Sequence, residues 1–118
     1  MVTSTKNAEH YTWGELCDGW HLLKSDKLSV IEEQMPPGTS EQLHYHNKAE
    51  QVFYILSGTA QFMLAGEMVE VKAHESIHVS AGTLHSIANI SVLPLRFLVI
   101  SHPLAHGDRI NIDDKTNN

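Results

Sequence analysis

An all-β sandwich or barrel is the fold that this sequence predicts, from three observations. Short runs rich in β-branched and aromatic residues recur at regular spacing along most of the chain. Gly- and Pro-containing turns separate them, and no helical period is sustained anywhere. Such a pattern belongs to closed or sandwiched antiparallel sheets.

Leu28-Ser29-Val30-Ile31-Glu32 is the first clear strand, and Met35-Pro36-Pro37-Gly38 ends it in a turn. Val52-Phe53-Tyr54-Ile55-Leu56 follows, bounded by Ser57-Gly58, which reads as a hairpin turn into Thr59-Ala60-Gln61-Phe62-Met63-Leu64. Ala65-Gly66-Glu67 turns the chain again into Met68-Val69-Glu70-Val71. Ile77-His78-Val79 is a further short strand, and Ser80-Ala81-Gly82-Thr83 leads to Leu84-His85-Ser86-Ile87-Ala88-Asn89. Leu95-Arg96-Phe97-Leu98-Val99-Ile100 is the most apolar run and is expected to be buried. The first 25 residues, with Trp13, Leu16 and Trp20, show no clear period. The expected organisation is an arm over residues 1–27, packing on the barrel or on a second subunit, a barrel over 28–106, and a polar tail over 107–118 that frays.

The 118 residues suit one domain, and 42% apolar with 19% charged content is ordinary for a globular protein. A formal charge of −6 argues against a nucleic-acid partner, which needs a basic face. Cys17 is the sole cysteine, so no intrachain disulfide forms, and it reads as a packed small hydrophobe. No secretory h-region opens the chain and no apolar run approaches the roughly 18 residues of a membrane span. The expectation is a cytoplasmic protein.

Histidine is the unusual component, at nine residues. His44 and His46 stand two apart in an extended segment and so share one face of it. With His85 and one oxygen donor they would make a site for one divalent transition metal ion. Uninterrupted alternation from His46 makes that donor Glu50; a parity-resetting turn at Asn47-Lys48 makes it Gln51. Zinc, nickel, iron and manganese all suit such ligands. His78 faces the pocket or solvent depending on the parity at Ser80-Ala81, and His74 reads as an exposed turn residue. His10, His21, His102 and His106 read as surface residues.

These residues resemble the cupin superfamily, in particular its small single-domain bacterial members. Gly38, His44, His46, Gln51 and Gly58 match the spacing of its first motif, with glutamine where glutamate is usual. Gly82, His85 and Asn89 match the second, with His74 and Ser80 in place of its first glycine and its proline. The resemblance covers residues 28 to 100 and implies a jelly-roll barrel with a metal inside its open mouth. It also selects Gln51 as the fourth ligand, whose strand face carries Phe53 and Ile55 inward; Ile87 is expected to line the same pocket. Small cupins with three histidines and one glutamine include enzymes acting on unsaturated sugar acids.

A neutral glutamine leaves a divalent ion its full charge, which favours Lewis-acid chemistry on a small oxygen-rich substrate over oxygen activation. Isomerisation, ring opening or lyase-like chemistry is therefore the leading reading. A metal-dependent dioxygenase and a non-catalytic ligand-binding or sensor protein are the alternatives. No general base stands out; Glu50 and His78 are weak candidates, and Arg96 could pair with a substrate carboxylate. A homodimer is expected, through the apolar residues of the first 27.

Overall fold

The computed structural model describes residues 2–103, 105 and 107–112. Among these are eleven strands and no helix: β1 (Glu9–Trp13), β2 (Cys17–Lys24), β3 (Ser29–Met35), β4 (His44–His46), β5 (Glu50–Ser57), β6 (Thr59–Leu64), β7 (Glu67–Lys72), β8 (Ser76–Val79), β9 (His85–Ala88), β10 (Leu95–His102) and β11 (Arg109–Asn111). They form a six-stranded sheet in the order β1-β2-β3-β10-β5-β8 and a five-stranded sheet in the order β11-β4-β9-β6-β7. Every pairing is antiparallel. The all-β barrel expected from the sequence is present.

Alternation decides what each strand gives the core. On β10, Leu95, Phe97, Val99 and Ser101 are buried while Arg96, Leu98 and Ile100 are only half-buried. On β5, Gln51, Phe53 and Ile55 point inward. Facing them from the second sheet, Phe62 and Ile87 are fully buried, and the Phe53 and Phe62 rings meet edge-on at 5.0 Å. The Phe53 ring also lies 6.0 Å from that of His85, which brings this layer of large side chains up to the histidines.

Two expectations change. Ser57-Gly58 is a corner between sheets and not a hairpin, since β5 pairs with β10 and β8 whereas β6 pairs with β7 and β9. Turn residues report that a chain changes direction, not which strand it then meets. Gly58 is required there: its φ is +86°, and a Cβ would sit 2.8 Å from the Pro94 carbonyl oxygen. The opening residues, which show no clear period in the sequence, form the β1–β2 hairpin, whose inner strand pairs with β3.

Residues 107–112 also differ from a fraying tail. β11 pairs with the histidine strand, Arg109 opposite His46 and Asn111 opposite His44. Backbone pairing needs no apolar pattern, so this polar segment carried no strand signal. His106 and residues 113–118 lie outside the described residues.

Candidate metal centre

Two neighbouring strands of the smaller sheet build the cluster. His44 on β4 stands directly opposite His85 on β9, with ring centroids 4.2 Å apart. His46, two residues along β4, presents its ring to the same space, 5.2 Å from His44 and 5.9 Å from His85. One ring nitrogen from each lies within 4.8 Å of the others. All three residues are buried. The glycine before His85 joins the two motifs, because the Gly82 amide donates to the His46 carbonyl at 2.7 Å.

Hydrogen bonding orients the rings. His44 Nδ1 donates to the Gln42 carbonyl and His85 Nδ1 to the Thr83 carbonyl, each at 2.9 Å. That leaves Nε2 of each ring with its lone pair free, the tautomer a metal requires. Burial lowers the imidazole pKa values, to about 3 for His44 and about 4 for His46, and lowers that of His85 as well. The rings are therefore neutral near pH 7. Buried and without hydrogen-bond partners are His46 Nδ1, His85 Nε2 and Gln51 Oε1. Orphaned buried polar atoms are costly, and a cation would satisfy each that offers it a lone pair.

Gln51 enters from the opposite sheet. Its amide Nε2 donates to Ser101 Oγ at 3.0 Å on β10, and the side chain lines the cavity with His44 and His46. Glu50 lies on the other face, exposed, where its Oε2 accepts from His78 Nε2 at 2.8 Å. The turn after His46 thus reset the strand parity. His78 also points outward, because Ile77 and Val79 take the inner positions of β8. Arg96 is on the outer face too, bonded to Glu32 Oε2 at 2.6 Å and lying over Trp20, while Phe97 points in. None of these three weak candidates lines the cavity.

The cavity has a volume of about 550 Å³. Phe53 lines it; Ile55 and Ile87, expected beside it, do not, being fully buried deeper in the core. Strand alternation gives the face of a residue but not its depth along the barrel. His21, expected at the surface, is half-buried in the cavity wall, its ring 5.0 Å from that of Tyr11. His74 is the exposed turn residue expected, at φ +70°.

Four wall residues went unnoticed in the sequence: Tyr11, Glu33, Glu41 and Arg109. The Tyr11 hydroxyl donates to Glu33 Oε2 at 2.6 Å, and Arg109 Nη1 donates to Glu41 Oε2 at 3.1 Å. Burial raises both carboxyl pKa values, that of Glu33 to about 8 and that of Glu41 to about 7. A sequence signal existed for Glu33, since it shares a period-two face with Ser29 and Ile31. Tyr11 and Arg109 sit on strands with no such pattern.

A family comparison agrees with this geometry. The Cupin domain model matches residues 31–101. The chain belongs to the cupin family. Over 89 residues this cupin is 36% identical to an uncharacterized protein of Methanocaldococcus jannaschii, covering 75% of this chain and 71% of that one. It is 36% identical over 85 residues to an oxalate-binding protein of Thermotoga maritima, covering 68% and 70%. Among solved structures, a predicted oxalate decarboxylase of Thermotoga maritima superposes with a TM-score of 0.82 at 27% identity, covering 88% of this chain and all of that one.

Asp108 also escaped sequence reading, yet it holds the turn between His46 and Gln51. Its carboxylate accepts from the backbone amides of Asn47, Lys48 and Ala49 at 3.2, 2.9 and 2.9 Å. These amides hold its pKa below the usual carboxylate value. In this cupin, Asp108→Ala should weaken zinc binding by about 10- to 100-fold, as loss of an outer support does elsewhere. A competition titration with a chromogenic chelator measures this; an unchanged affinity would show that the turn holds itself.

Proposed function

We propose that this cupin binds one divalent metal ion on His44, His46, His85 and Gln51 and uses it on a small, oxygen-rich ligand of the carboxylate class. The observation that carries the reading is the cluster of three neutral imidazoles, with Gln51, whose Oε1 is buried and unpartnered, lining the same cavity as His44 and His46. When bound, the ion would supply Lewis-acid polarisation of a ligand oxygen. The ligand set adds no negative charge, so an anionic ligand would be attracted and a ferric state poorly stabilised. Non-redox chemistry of the isomerase, ring-opening or lyase-like kind is favoured over a dioxygenase.

The chain's own groups supply the rest. Gln42 and Thr83 carbonyls hold two of the imidazoles in the ligating tautomer, and Ser101 aims the Gln51 amide. Glu41 fixes the Arg109 guanidinium at the wall. Phe53 and Ile31 make the apolar side of the cavity, which limits the water around a bound ligand. A second reading, binding without turnover, draws support from the oxalate-binding relative. Calorimetric titration of the zinc-loaded protein with oxalate, followed by product analysis, separates the two: heat without product supports binding alone.

Gln51→Ala should lower retained zinc and Glu50→Ala should not, by elemental analysis after dialysis. Loss at position 50 alone would overturn the ligand set. The homodimer is part of the same proposal, on the strength of Leu16, 84% exposed at the β1–β2 turn. A solution mass of one chain at micromolar concentration contradicts it.

A further inference from the structure

One row of residues crosses the six-stranded sheet on its cavity side. Tyr11 on β1 stands opposite Gly19 on β2, Gly19 opposite Glu33 on β3, and Glu33 opposite Phe97 on β10. Neighbouring strands lie about 4.8 Å apart, so the Tyr11 and Glu33 backbones are about 10 Å from each other. The phenol ring bridges that gap by lying over Gly19. A Cβ at position 19 would fall 2.2 Å from the ring Cζ and 2.5 Å from the hydroxyl oxygen. The missing side chain is what lets the hydroxyl reach Glu33 Oε2 at 2.6 Å.

An aromatic ring laid over a cross-strand glycine is a known way to shield bare backbone. Shielding alone does not explain a carboxyl group at the end of the reach. Glu33 lies beside the fully buried Phe97 and lines the same cavity as His44, His46 and Gln51. Resting on the metal-binding reading above, we propose that Glu33, steered by Tyr11 across Gly19, is a specificity-determining residue whose carboxyl group donates a hydrogen bond to an oxygen of a small carboxylate ligand held at the histidines.

The protonation state supports this. Burial raises the Glu33 pKa to about 8, the Tyr11 hydrogen bond and the Arg109 charge pulling down and the Glu41 charge pushing up. With Oε2 accepting from Tyr11, the acidic proton belongs on Oε1. The other charged and titratable groups of the wall are Glu9 on β1, His21 and Lys24 on β2, Glu41 after β3, His44 and His46 on β4, and Arg109 on β11. Lys24 pairs with Glu9 at 3.6 Å and Arg109 with Glu41 at 3.1 Å, so both cations are engaged. A neutral Glu33 donates to an anionic ligand, whereas an ionised one repels it. Ligand affinity must then fall as pH rises through the range where Glu33 ionises.

Calorimetry on the zinc-loaded protein, with sodium oxalate as the probe at several values between pH 6.5 and 9, tests this. Glu33→Ala should bind oxalate at least about tenfold more weakly with zinc content unchanged. Glu33→Gln keeps an N–H donor, so it should recover most of the affinity and show a flatter pH profile than wild type. Tyr11→Phe removes a hydrogen bond that lowers the Glu33 pKa and should move the fall to higher pH, which a purely structural role would not do. Zinc-replete Glu33→Ala binding oxalate like wild type overturns the inference. So do parallel pH profiles for wild type and Glu33→Gln, or a zinc-replete wild type that ignores oxalate. A wild-type chain that takes up no zinc overturns the metal reading itself.

Discussion

Replacing His85 with alanine should strip the protein of its metal: zinc retained after dialysis falls from about one per chain toward zero, and affinity drops by more than about 100-fold. The size of the effect follows from the site's construction. His85 is one of three imidazoles whose nitrogens lie within 4.8 Å of one another, and its Nε2 is buried with no hydrogen-bond partner. Without His85 only two imidazoles and one neutral amide oxygen remain, a weak donor set for a divalent ion. His78→Ala is the matched control, because His78 is exposed and bonded to Glu50 on the outer face. Zinc stoichiometry by elemental analysis checks both; an unchanged value for His85→Ala would remove His85 from the ligand set.

The largest loss of stability is expected from Phe62→Ala, at about 3–5 kcal/mol. Phe62 is fully buried, pairs across strands with Val69 and Ile87, and packs against the Phe53 ring. Its neighbours belong to both sheets, so they cannot close over the void without moving strands. A domain of this size has about 5–15 kcal/mol of stability in all, so the variant sits near the limit of folding. Val92→Ala, 89% exposed, should change stability by less than about 0.5 kcal/mol. Urea unfolding of both proteins measures the contrast, and equal midpoints would contradict the core assignment.

Much of the barrel was legible because alternation writes burial directly into strands with one wet face. β10 and β5 show it plainly. The histidine cluster was legible for a related reason: His44 and His46 share a face by parity alone, and the spacing to Gly82 and His85 resembles a known motif. What escaped reading was set by pairings remote in sequence. Tyr11 reaches Glu33 only because β1, β2 and β3 lie in register, with Gly19 between them. Arg109 and Asp108 join the site because β11 pairs with β4, a backbone event that no side-chain pattern announces. The choice between Glu50 and Gln51 turned on a short segment after His46 whose conformation depends on Asp108, some sixty residues away.

The most direct test of the central claim is a crystal structure of the zinc-loaded protein with anomalous data at the zinc edge. One ion should lie within about 2.0–2.2 Å of a nitrogen of each of His44, His46 and His85 and of Gln51 Oε1. An ion bound elsewhere, or one with Gln51 turned away from it, would contradict the assignment.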